Sequence, residues 1–202
     1  MKKIIGITTA LVLIVISLAY LYFSNLNVSS RNNDRVLSEI PADASLIFQY
    51  PNDKSLYEIF SDYTVFDTII GTQAKNELAW LKDLLVSKKE LNDLTDGQKF
   101  FLSFHPSKTD SVHFLWSIQL KQPLTLDELQ NTFSELSEIR ISKKEKSGAA
   151  ILEINSTELK RPFYLCIDKG IARGSFSADL LSQSFDKNAK KISICTSIGN
   201  GN

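Results

Sequence analysis

Histidine and cysteine are scarce in this chain, with 2 of each among 202 residues. That leaves few of the imidazole and thiolate groups from which zinc and copper sites are assembled. Catalytic signatures are missing too. There is no G-x-S-x-G elbow, no P-loop, and no S-x-x-K placed to open a helix beside a pocket. Carboxylates are scattered singly, without an evident acid/base pair. An excess of one charge is also lacking, since 23 basic residues face 23 acidic ones. Setting aside Lys2 and Lys3 leaves 21 basic residues against the same 23 acidic ones. The runs KKEKS and KNAKK are short and read as solvated turns. Nucleic-acid binding, which needs clustered cations opposite phosphates, is disfavoured.

What is abundant is apolar. Hydrophobic residues make up 43% of the chain and Phe alone occurs 12 times, enough for a real core. From Ile4 to Phe23 no residue is charged. Twenty helical residues at about 1.5 Å each match the ~30 Å hydrocarbon core of a bilayer. Tyr20 and Tyr22 near the far end suit the interface. Ser17-Leu18-Ala19 resembles a signal-peptidase site, but apolar residues continue through Phe23, which favours a retained anchor. No cysteine lies near the segment to carry a lipid. Lys2 and Lys3 abut it on a short tail, so the N-terminus is expected in the cytoplasm and the following domain outside. Residues 1–23 are thus read as cytoplasmic tip and transmembrane anchor, with residues 4–23 in the membrane. Residues 24–34 (SNLNVSSRNND) read as a flexible stalk, and residues 35–202 as an extracytoplasmic domain.

Within that domain, a strand is expected near Ser45–Tyr50, closed by Pro51. One or two short helices follow, ended by Gly71. Leu78, Leu81, Leu85 and Leu91, with Trp80 and Leu84 beside them, form a helical stripe that reads as packing on the protein's own sheet. The period then changes to two. Phe100, Leu102 and Phe104 share a face, as do Val112, Phe114, Trp116 and Ile118, which predicts a hairpin with one buried face. Thr125 and Glu128 form a capping box ahead of Leu126, Leu129, Phe133 and Leu136. Four short strands follow, with turns at KKEKSG and at Asp168-Lys169-Gly170, where Gly170 suits a three-residue loop. Ser177 caps a helix ADLLSQSF, and KISIC is a candidate last strand. The class is α+β, an N-terminal transmembrane helix followed by a mostly antiparallel sheet packed with helices.

Candidate chemistry is thin. Pairing Phe104 with Val112 would set Ser103 opposite His113, with His105 diagonal to it on the solvated face. Asp110 in the turn could add a third metal ligand, but a diagonal pair on an exposed face is commonplace. No catalytic, cofactor-binding or metal site is therefore assigned, and no cofactor is expected. Replacing both histidines should then change stability by less than about 1 kcal/mol. Ser175 and Ser177 in ARGSFSAD resemble an anion cradle, which ordinary capping explains. Cys166 and Cys195 could pair outside the cytoplasm, but read as buried thiols.

EIPADASLIFQYPN and FYLCIDKGIARGSFSADLLSQSF resemble an uncharacterised family of bacterial membrane-anchored envelope proteins, of which some longer members carry a β-propeller. The matching features are the anchor at residues 4–23, the Pro41-Ala42-Asp43-Ala44 strand start, and the Asp168-Lys169-Gly170 hairpin running into the capped helix. The resemblance implies a location and an architecture, and it brings no catalytic residues. The expected role is binding or scaffolding in the cell envelope, through a protein partner, with an envelope hydrolase or a carrier of lipid or small ligands as the alternative. KKISICTSIGNGN starts as a strand and then dissolves, so the chain reads as the front part of a larger unit.

Overall fold

The computed structural model describes residues 11–22, 35–51, 68, 70–87, 89–95, 98–107, 112–134, 139–186 and 188–192. These fall into two units, Met1–Arg35 and Val36–Asn202. In the first, residues 11–22 are helical, and the Ser17 hydroxyl donates to the Leu13 carbonyl at 2.8 Å. Residues 4–10 and 23 of the expected anchor lie outside the described residues, as does the stalk. Among the described residues no helix is long and apolar enough to cross a membrane.

Alternating aromatic and aliphatic residues build the second unit around one sheet. Its strands are β1 (Leu46–Pro51), β2 (Lys99–Pro106), β3 (Val112–Gln119), β4 (Ile139–Lys146), β5 (Ala149–Ser156), β6 (Phe163–Asp168) and β7 (Ile171–Ser175). All seven pair antiparallel, in the order β1-β2-β3-β7-β6-β5-β4. This is the expected α+β class, with the sheet wholly antiparallel.

One face carries Phe100, Leu102, Phe104, Phe114, Trp116, Ile118, Leu152, Ile154, Phe163 and Leu165. Helices α1 (Gly71–Lys82), α2 (Lys89–Thr95) and α3 (Leu126–Ser134) cover it, with a π-helical turn at Asp83–Ser87 joining the first two. The expected stripe of Leu78, Leu81, Leu85 and Leu91 is buried there, together with Trp80 and Leu84. Gly71, expected to end a preceding helix, is the first residue of α1, with φ at 81°. The capping box forms as read. Glu128 accepts from the Thr125 backbone N–H at 2.8 Å, and the Thr125 hydroxyl accepts from the Glu128 N–H at 3.2 Å. Leu136 lies outside the described residues.

The second face is where expectation and structure part. A hairpin with one solvated face was expected, yet the central residues of both β2 and β3 are buried on both sides. Helix α4 (Ala178–Phe185) lays Leu180 and Leu181 against Leu115, Ile151 and Cys166. Val36 and Ile40 cover Phe101 and Ile171 beside it. Three layers result, because this second helix and the segment leading into β1 claim the far side. Lys191 is held there by an isolated bridge to Pro41, flanked by Ala42 N–H donating to the Lys190 carbonyl and Ile192 N–H to that of Ile40. Of the expected last strand only this bridge lies among the described residues, and residues 193–202 lie outside them.

Two turns are tighter than read. KKEKSG was expected to be a turn, but Lys143–Lys146 continue β4. Only Ser147 and Gly148 turn, with φ of 51° and 75°. Lys169 and Gly170, at 52° and 77°, make a two-residue turn rather than a three-residue loop. Positive φ at both central residues is the primed-turn signature, whose twist matches that of the flanking strands.

Gly174 in β7 has a different task. A Cβ built there would stand 2.2 Å from Phe163 Cζ, within the ring's own space. Gly174→Ala should therefore destabilise the domain by about 1–3 kcal/mol, measured by urea unfolding.

Candidate functional site

The β2–β3 register sets the histidines. Phe104 pairs with Phe114, not Val112, so His105 and His113 stand directly opposite one another and Ser103 faces Leu115. The expected register was two residues out. Nor is His105 on a solvated face: it is 2% exposed. Asp110 lies outside the described residues. Among the described residues no group of three His, Cys, Asp or Glu side chains could hold a metal ion.

Both His105 nitrogens are engaged. Nδ1 lies 2.8 Å from Asp43 Oδ1, and Nε2 lies 2.9 Å from Ser103 Oγ. Asp43 comes from the segment before β1, and Ser103 is two residues back on the same face of β2. In the neutral ring the protons are ordered: Nδ1–H donates to Asp43, and the Ser103 hydroxyl donates to Nε2. Protonating Nε2 reverses the second bond and swings the hydroxyl toward the Leu115 carbonyl, 3.3 Å away. Burial holds the His105 imidazole below its usual range, against the opposing pull of Asp43.

An Asp–His–Ser chain in this order is the connectivity of a nucleophilic triad. Its chemistry needs a hydroxyl that can reach a substrate carbonyl. Ser103 is 0% exposed, so in this arrangement the chain of bonds ties β2 to the segment carrying Asp43. Ser175 and Ser177 are likewise committed. Ser175 Oγ donates to the Phe114 carbonyl at 2.7 Å and accepts from the Ser177 N–H at 3.0 Å. Ser177 Oγ caps α4 by accepting from the Leu180 N–H at 3.3 Å. Ser177 thus caps, as read, while Ser175 ties β7 to β3 and to the turn before α4.

His113 joins a second network. Arg161 binds Glu77 of α1 in bidentate fashion, Nε to Oε1 at 2.6 Å and Nη2 to Oε2 at 2.8 Å. Its Nη1 approaches His113 Nδ1 at 3.4 Å, and the guanidinium lies over the Phe176 ring, 5.8 Å from its centroid. Burial and then the Arg161 charge hold the His113 imidazole below its usual range. Glu77 is buried, and this fork, with a further bond from Gln73 Nε2 to Oε1 at 3.0 Å, supplies its carboxylate with hydrogen-bond partners. Glu77, Arg161 and Asp43 carry no local sequence signal. Their partners stand 84 and 62 positions away.

Asp43, His105 and His113 open onto a cleft of about 650 Å³ whose far wall is α4 and the β4–β5 turn. There Lys146 pairs with Asp179 at 2.7 Å, and the Ser147 and Ser182 hydroxyls meet at 3.0 Å. The cleft is polar, and its side chains are largely bound to one another. Such a surface suits recognition by hydrogen bonds and exposes no reactive nucleophile among the described residues. Cys166 is not one either: it is buried against α4, and burial pushes its thiol up to about 12. Cys195 lies outside the described residues. Comparison with protein-family models, curated proteins and solved structures finds no match.

With both imidazoles below the ordinary value of 6.5, the unfolded chain takes up protons before the folded one as pH falls. Their contribution to stability is full above that value and is lost below it. The melting temperature should therefore fall between about pH 7 and pH 5. His105→Gln should flatten that slope and cost about 1–3 kcal/mol at neutral pH, against the small effect expected of an exposed residue.

Proposed function

We propose that the chain is a single-pass membrane protein of the bacterial cell envelope, with its N-terminus in the cytoplasm. Its α+β domain lies outside the cytoplasm and works by binding or scaffolding. The carrying observation is the helix at residues 11–22. Leu11, Val12, Leu13, Ile14, Val15, Ile16, Leu18 and Leu21 are between 49% and 61% exposed. Each side chain of this size gains about 1.5–3 kcal/mol by leaving water, so a lipid environment is the natural destination for the row. The Ser17 hydroxyl among them already donates within the helix, as lipid requires. The uncharged sequence on either side, residues 4–10 and Phe23, extends the segment to bilayer length.

Binding is favoured over hydrolysis by the burial of Ser103. The one Asp–His–Ser chain among the described residues ends in a hydroxyl that no substrate can reach.

The full chain expressed in a bacterium should remain in the membrane pellet through a carbonate wash, with mass spectrometry finding Lys2–Phe23 on the mature protein. Protease added outside the inner membrane should cut the domain. A soluble product beginning at Tyr20 would overturn the anchor.

A further inference from the structure

One bond beside the cleft depends on a proton being absent. Arg161 Nη1 stands 3.4 Å from His113 Nδ1, and a guanidinium has only donors, so Nδ1 must be the unprotonated nitrogen of the ring. Protonating His113 removes that acceptor and sets an imidazolium against the Arg161 charge. Arg161 is not free to withdraw, because Glu77 of α1 holds it by two bonds, at 2.6 Å and 2.8 Å. The His113 ring, half-buried at the start of β3, is the part that can move.

The charged groups around the cleft decide where it goes. His105 stands opposite on β2 and becomes a cation itself in acid, with Asp43 of the segment before β1 as its partner at 2.8 Å. Lys146, at the β4–β5 turn, is a cation as well. Two carboxylates of the lining remain, Asp179 and Asp186. Asp186 lies seven positions after Asp179, about 10 Å along a helix, and its carboxylate already accepts from the Asn188 N–H at 2.9 Å. Asp179 is in the first turn of α4, beside Leu180, which packs on Leu115 two residues along the same face as His113. Asp179 pairs with Lys146 at 2.7 Å, but the two side chains are 88% and 36% exposed, and such a pair is worth little. Burial and then Arg161 hold the His113 imidazole down while Glu77 and Asp179 pull it up, so its charging belongs to the acid range.

We infer that His113 is the trigger of an acid-operated exchange of partners. At neutral pH it accepts from Arg161 while Asp179 pairs with Lys146. In acid its imidazolium takes Asp179, and Lys146 and the β4–β5 turn are released from α4. The other tie between that turn and α4 is the exposed Ser147–Ser182 hydroxyl contact at 3.0 Å, too weak to hold it alone. The cleft, walled by α4 and that turn, opens as the pH falls. The exchange goes beyond the binding role proposed above and does not rest on it, because no ligand enters its test.

The test is an electron-spin distance measurement on the full chain in detergent, at about pH 7.5 and about pH 5. Labels are attached at Glu145→Cys and Gln183→Cys, both exposed positions, with Cys195→Ser, and buried Cys166 escapes labelling. The distance should lengthen reversibly in acid while the far-UV circular dichroism stays unchanged. His113→Gln, which cannot take a charge, should keep the short distance at both pH values. Lys146→Met should give the long distance at both. An unchanged distance in the parent protein, the same shift in His113→Gln, a short distance in Lys146→Met at neutral pH, or loss of the helical signal in acid would each overturn the inference. Lys146 is partly exposed, so its variant decides the matter if His113→Gln does not fold.

Discussion

A strand covered on both faces cannot release its polar side chains into water, and much of this domain's chemistry follows from that. β2, β3 and β7 lie at the middle of the sheet, with α1 to α3 on one side and α4 with the segment around Ile40 on the other. The first face is built of aromatic and aliphatic residues, with the Trp116 indole N–H buried among them. The second carries Ser103, His105, Ser117, Arg173 and Ser175 among its apolar residues. Each must find a partner inside the protein or remain costly.

The solutions differ in completeness. Ser175 is satisfied by the backbone of β3 and by the turn into α4, so it contributes to placing that helix. His105 is satisfied at both nitrogens, one bond reaching back to Asp43 and the other held within its own strand. Glu77 is satisfied by Arg161, whose guanidinium also touches an aromatic face and a histidine. The Ser117 hydroxyl and the Trp116 indole N–H are left without hydrogen-bond partners among the described residues, and so is Arg173. Arg173 has charge partners, Glu39 and Asp168, without hydrogen-bond geometry, and it is that mismatch, rather than its burial, that separates it from the rest.

The amphipathic patterns of α1, α3 and the hairpin were legible because each depends on neighbours within a few residues. So were the capping box at Thr125 and the cap at Ser177, whose partners are three positions away. The alternation in KFFLSFHP identified a strand, but it could not show that the even residues and the odd ones would both be covered. That depended on α4, some 70 positions later. The histidine pairing failed for a related reason: register follows the turn, and two residues' difference moved His105 from a diagonal to a direct partner of His113. Nothing local in IARGS marks Arg173 as an arginine that faces inward. The primed turns at Ser147-Gly148 and Lys169-Gly170 were half legible. Glycine marked each site, but the positive φ of the residue before it had no signature of its own.

The pairing of residues 40–42 with 190–192 has an architectural consequence. The backbone enters the sheet unit and reaches its last described segment at one place, joined there by Ala42 to Lys190 and Ile192 to Ile40. The bonds join segments some 150 positions apart. Closing a loop of that length costs conformational entropy that a few hydrogen bonds do not offset, so this corner closes on a sheet already formed rather than nucleating it.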